Sequence, residues 1–119
     1  MSSQVTIKIL DGDSKGATYV FSEPIECKVG RAPDCTIKVS ETIGNADISR
    51  YHCYFDIDPP YVWLRDLDST NGTFINGRKI GRSKDLLELV HHGDTVRVGK
   101  IELFVEIDDH PTDRVTSQI

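Results

Sequence analysis

The 119-residue chain is poor in positive charge, in cysteine and in long apolar runs. Lys+Arg number 14 against 19 Asp+Glu, a formal net charge of −5 with His neutral. An acidic balance of this kind excludes a basic stripe that coats nucleic acid or an anionic membrane. Cys27, Cys35 and Cys53 are odd in number and show no Cys-x-x-Cys spacing. That excludes a fully paired disulfide framework and fits reduced, buried thiols in a cytoplasmic protein. No apolar run approaches the roughly 18 residues of a membrane span. Met1-Ser2-Ser3-Gln4 also lacks the basic and apolar regions of a secretory leader. Long helices are excluded too, because Gly and Pro recur so often that the longest stretch free of both is Asn45 to Asp58.

What is present is a series of short runs, alternating or rich in β-branched residues. They are Val5 to Leu10, Ala17 to Phe21, Cys27 to Gly30, Thr36 to Val39, His52 to Asp58, Val62 to Asp66, Thr73 to Ile75, Arg78 to Ile80, Thr95 to Val98 and Ile101 to Ile107. Many short strands between frequent turns predict an all-β sandwich or barrel. In His52 to Asp58, Cys53, Phe55 and Ile57 share one face and the acids the other, the pattern of a half-buried strand. Asn76-Gly77 and Gly99-Lys100 each predict a two-residue hairpin turn. Ser83 to Val90 fits either a helical turn or a short strand, and Phe55, Trp63 and Phe104 are expected in the core. From Asp108 on the chain is polar and without pattern, so one domain is expected over 1–107 and a tail or linker over 108–119.

Three polar clusters converge on one task, the holding of a phosphate. Gly30-Arg31 ends a strand, Ser49-Arg50-Tyr51-His52 precedes another, and Ser69-Thr70-Asn71-Gly72-Thr73 fills a turn. A phosphomonoester on a protein carries about −1.5 to −2 charge and three strong acceptor oxygens, so it calls for fixed donors. Arg supplies a planar fork, and short hydroxyl and amide side chains add donors at little entropic cost when mounted on turns. Each cluster has a plain alternative: Arg31 paired with Asp34, Ser49 capping a turn, Ser69 to Gly72 as turn chemistry alone.

In order and spacing these clusters resemble the forkhead-associated (FHA) domain, a phosphothreonine-peptide binding module. Ala32-Pro33-Asp34-Cys35-Thr36-Ile37, the run Leu67 to Gly77 and Gly93-Asp94-Thr95-Val96-Arg97-Val98-Gly99 extend the likeness over Val5 to Ile107. The resemblance implies a sandwich of two antiparallel sheets, about eleven strands in all, with binding loops gathered at one end. It implies phosphate contacts from Arg31 and Ser49, a further contact from Arg50, and contacts to the phosphate edge and peptide backbone from Thr70 and Asn71. Gly30, His52 and Gly72 take structural roles. Asp47 and Ser69 fall in the loops that select flanking residues. The segment Ser40 to Asp47 is longer than the family's usual one, and Asp47 stands where some members carry a basic selector, which argues against a preference for an acidic residue there. The implied partners are a Thr-phosphorylated protein or peptide and the Ser/Thr kinase that produces it, with no cofactor and no metal. On an acidic body, long acidic flanks around the phosphothreonine are expected to weaken binding at low salt.

Two other function classes were weighed. Catalysis by Ser49 and His52 lacks a nucleophile-elbow pattern and an acid to orient the imidazole. A metal site at His91, His92 and Asp94 is awkward because adjacent strand residues point to opposite faces. A phosphate-independent interaction domain of the same fold, weakly homodimeric, is the main alternative. Thr112 and Thr116 in the tail are candidate phosphorylation sites for binding in cis or to a neighbouring copy.

Overall fold

The computed structural model describes residues 3–39, 48–81 and 86–109. Asp47, Thr112 and Thr116 lie outside the described residues. Among the described residues the chain forms eleven strands and no helix: β1 Gln4–Ile9, β2 Thr18–Phe21, β3 Ile25–Gly30, β4 Ile37–Lys38, β5 Cys53–Asp58, β6 Tyr61–Asp66, β7 Thr73–Ile75, β8 Arg78–Lys79, β9 Glu88–Val90, β10 Thr95–Val98 and β11 Ile101–Asp108. They make a six-stranded sheet, β2-β1-β11-β10-β7-β8, and a five-stranded sheet, β4-β3-β5-β6-β9. The sandwich expected from the sequence is therefore the observed one.

Period-two alternation sets the packing. Val5, Ile7 and Ile9 of β1 and Leu103 and Val105 of β11 point inward from the first sheet, against Val29, Phe55, Ile57, Val62 and Leu64 of the second, all at most 1% exposed. Burying each such side chain contributes about 1.5–3 kcal/mol. The two sheets are thus held mainly by aliphatic burial, with the fully buried Phe55 ring among them.

Trp63 and Phe104 depart from the expected core position. Each is only half-buried. Their strand neighbours Val62, Leu64, Leu103 and Val105 take the inward positions, so the pleat turns Trp63 and Phe104 to the outer faces. Trp63 lies 5.9 Å from the exposed Tyr61 ring there, centroid to centroid. Within the ambiguous run, Glu88–Val90 is a strand paired with β6.

Both hairpins form where expected. Ile75 pairs with Arg78 around Asn76 and Gly77, whose φ values of 50° and 85° give a turn left-handed at both positions. Val98 pairs with Ile101 around Gly99 at φ 59°. Among the described residues all strand pairs are antiparallel but one: Val29 and Gly30 run parallel to Ile37 and Lys38, where the chain doubles back after β3.

Register divides the sandwich into two poles. At one stand the connections after β3, before β5, after β6 and after β10. At the other, Gln4 pairs with Asp108, and the Ser3 hydroxyl donates to Asp109 Oδ1 at 3.0 Å.

Candidate functional site

The three polar clusters meet at the first pole. Gly30 closes β3 directly beneath the Ser49-Arg50 backbone, and a Cβ at position 30 would lie 2.2 Å from the Arg50 carbonyl oxygen. Glycine is required there by contact, not by dihedral. The close approach lets the Arg31 amide donate to Ser49 O at 3.2 Å and the Ala32 amide to Arg50 O at 3.0 Å. The two loops are stitched together before any side chain is considered.

Arg31 is half-buried, and its Nε donates to the Ile48 carbonyl. One end of the guanidinium is fixed, leaving the terminal nitrogens as the outer fork. Among the described residues no carboxylate lies within 4.0 Å of it. Asp34, the partner that the sequence offers for it, is engaged elsewhere: both its carboxylate oxygens accept from the Tyr51 hydroxyl, at 2.8 and 3.1 Å. That bond, with burial and the Asp34 charge adding to it, pushes the Tyr51 phenol above its usual range. Lys28 stands over the Tyr51 ring at 5.4 Å.

Ser49 Oγ accepts from the Thr70 amide at 3.1 Å, so the second and third clusters touch directly. The Ser49 hydroxyl, accepting here, still has its own hydrogen to donate. Beneath them His52 is fully buried. Its Nδ1 accepts from the Ser49 amide at 3.1 Å and its Nε2 donates to Gly72 O at 2.8 Å. An imidazole that accepts at one nitrogen and donates at the other is the neutral tautomer protonated on Nε2. His52 therefore joins the two loops from below by hydrogen bonds.

The loop from Leu67 to Gly72 is shaped by a residue the sequence reading passed over. Asp66, fully buried, accepts from the Ser69 amide at 3.0 Å, from the Ser69 hydroxyl, and from Thr73 Oγ1 at 2.7 Å. Ser69 Oγ in turn accepts from the Gly72 amide at 2.9 Å. Ser69, placed in the selecting loop by resemblance, is 0% exposed and spends its hydroxyl inside the turn. The signal in the sequence was the Asp66-x-x-Ser69 spacing, by which an Asp side chain holds a backbone amide three residues on. Thr70 and Asn71 are exposed on the crest of this loop. Gly72 has φ 90° and is roofed by Lys79, whose Cε would lie 2.5 Å from a Cβ there.

The remaining polar candidates lie elsewhere. Asp94 binds the His91 amide at 2.8 Å, and His92 Nδ1 accepts from the Ile107 amide at 2.9 Å, at the second pole. Among the described residues no group of His, Cys, Asp and Glu is arranged to hold a metal ion. Burial pushes the Cys27 thiol up to about 12 and raises those of Cys53 and Cys35 as well. These thiols are core residues rather than nucleophiles.

Comparison with known proteins places this geometry. The FHA domain family model matches residues 27–99. The chain belongs to the FHA domain family. FHA relatives include an ABC transporter ATP-binding/permease protein, Rv1747, of Mycobacterium tuberculosis, 35% identical over 67% of this chain and 8% of that protein. The FHA domain-containing protein FhaA of the same organism is 30% identical over 88% of this chain and 18% of its own length. The human angiogenic factor with G patch and FHA domains 1 is 30% identical over 81% and 13%. The chain thus spans less than a fifth of each of these relatives. Among solved FHA structures, one from a study of phosphothreonine-dependent FHA domain interactions has TM-score 0.70 at 29% identity, covering 87% of this chain and 95% of its own. The FhaA FHA domain, complexed with the intracellular domain of Rv3910, has TM-score 0.69 at 29% identity, covering 86% and 99%.

Proposed function

We propose that this FHA domain binds phosphothreonine in a partner protein, with the phosphate seated between Arg31, Ser49 and Thr70. The observation that carries the reading is the state of Arg31: its Nε is tied to Ile48 O, and no described carboxylate lies within 4.0 Å of its guanidinium. A cation held this way on an acidic domain is prepared for an external anion, and a phosphate matches its fork. Ser49 and Thr70 add hydroxyl donors, Arg50 adds charge at the exposed edge, and Asn71 on the crest holds the peptide backbone extended. Relatives studied in phosphothreonine-dependent interactions support the same ligand class. The reading makes the domain a non-catalytic reader of a Ser/Thr kinase's product, working in the cytoplasm.

Titration with phosphothreonine, phosphoserine and unmodified versions of one peptide tests it. The phosphothreonine form is expected in the micromolar range, about −7 to −9 kcal/mol, with phosphoserine weaker. Equal affinity for the unmodified peptide would remove the reading. It would favour instead a phosphate-independent contact or weak homodimer, for which the exposed Tyr61 and Leu89 beside Trp63 on the five-stranded sheet are the available surface.

A further inference from the structure

The 69–72 turn carries a cation that none of the roles above uses. Lys79 pairs with Phe74 across β7 and β8, so its side chain rises on the outer face of the six-stranded sheet. From there it runs toward the first pole and lies over Gly72: a Cβ at position 72 would meet Lys79 Cε at 2.5 Å, Nζ at 3.3 Å and Cδ at 3.4 Å. The missing side chain at Gly72 is the space the lysine stem fills. Its ammonium is thereby brought beside the crest, one residue from Asn71 and two from Thr70.

Three further facts bear on what that ammonium does. Among the described residues no carboxylate lies within 4.0 Å of it, whereas Arg78, its chain neighbour, is paired with Glu88 at 3.2 Å. Arg97 lies on the same face, its guanidinium 4.1 Å from the centre of the Phe74 ring that pairs with Lys79, so a second cation shares this face. Arg97 is anchored by donating to Gly99 O at 3.0 Å, whereas Lys79 lies against Gly72 of the crest loop. Lys79 is exposed, with the end of its stem resting on Gly72 and no described carboxylate within 4.0 Å of its head, so the head is close to the crest and open to an anion.

We infer that Lys79 is a specificity-determining residue, one that reads a carboxylate in the bound peptide beside the phosphothreonine. The inference rests on the phosphopeptide reading and narrows it. A single acidic residue on the side of the peptide that passes over Gly72 is favoured, even though the domain's net charge works against long acidic flanks.

The test uses phosphothreonine nonapeptides with neutral flanks, and a set in which one Asp is placed in turn at each of the three positions on either side. The readout is the affinity ratio of each Asp peptide to the neutral one at low ionic strength. Wild type is expected to favour Asp at one position by about two- to fivefold, the range of an exposed charge pair, and to lose the preference with added salt. Lys79→Met keeps the stem over Gly72 and removes the charge, so its ratio should fall to one. Lys79→Arg should retain the preference, and Lys79→Glu should turn it toward Lys at the same position. Matched thermal unfolding of the variants excludes a folding defect. An unchanged ratio in Lys79→Met overturns the inference, as does an equal loss for every phosphopeptide, which would make Lys79 a phosphate contact. Wild type with no phosphate dependence would sink the parent reading instead, an outcome visible before any Lys79 variant is compared.

Discussion

Gly30 and Arg50 are in such close contact that the Arg50 carbonyl oxygen occupies the place of a side chain at position 30, 2.2 Å from where its Cβ would be. The atoms of position 50 that a Cβ would meet are backbone, so no rotamer change relieves the clash. Gly30→Ala is expected to push the Ser49-Arg50 segment away from β3, costing about 2–4 kcal/mol in denaturant unfolding, the upper range for single substitutions. Phosphopeptide affinity should fall with it. A stable Gly30→Ala variant with unchanged affinity would show that the contact does not set the loop.

Arg31 separates charge from geometry. Arg31→Ala should lower phosphothreonine-peptide affinity at least about 100-fold, the scale of a lost charge-assisted pair, measured by calorimetry. Arg31→Lys should recover only part of it, because an ammonium cannot hold Ile48 O and fork a phosphate at once. Full recovery by lysine would mean that net charge alone matters at the site.

Ser69 and Asp66 distinguish a selecting residue from a shaping one. Ser69→Ala leaves the Asp66 carboxylate and the Gly72 amide each short of a partner in a buried place, and should cost about 1–3 kcal/mol in thermal or urea unfolding. The ranking of peptides by flanking residue should stay the same. A changed ranking at unchanged stability would return Ser69 to the selecting role.

The thiols predict the alkaline limb of stability. Cys27 is raised by burial to about 12 from an ordinary value of 9.0. Between those values the unfolded chain gives up the proton and the folded one keeps it, so stability falls as pH rises, by at most about 1.4 kcal/mol per pH unit for this thiol. Below pH 9 its contribution is flat. Cys53, raised the same way, steepens the loss. Urea unfolding from pH 8 to 11 should show the decline, and Cys27→Ala should make it shallower. At pH 8 a thiol reagent should label the unfolded chain and leave the native one unreacted.

Much of the fold was legible because alternation and turn residues act locally. Cys53, Phe55 and Ile57 announced an inward face, and Asn76-Gly77 announced a turn, with no distant contact needed. Trp63 and Phe104 misled because aromatic size suggests burial, while the pleat, set by Val62 and Leu64 or by Leu103 and Val105, decides the side. In the site, Arg31, Ser49, Thr70 and Asn71 were legible as donors, and the structure brings their loops to one pole. Asp66 was not, since a buried acceptor looks like any strand-end Asp until the three donors it serves are placed around it. The pairing of Asp34 was also out of reach, because Arg31 and Tyr51 are equally plausible partners until the loops are folded.

The meeting of Gln4 with Asp108, far from the phosphate-ready loops, has an architectural consequence. The start of β1 and the end of β11 lie side by side, one common exit from the two strands at the end of the sandwich turned away from Arg31. A β-strand advances about 3.3 Å per residue, so the eight residues of β11 separate that exit from the recognition loops by about 25 Å. A tether joined at those two strand ends would therefore meet the sandwich at the pole opposite its recognition loops.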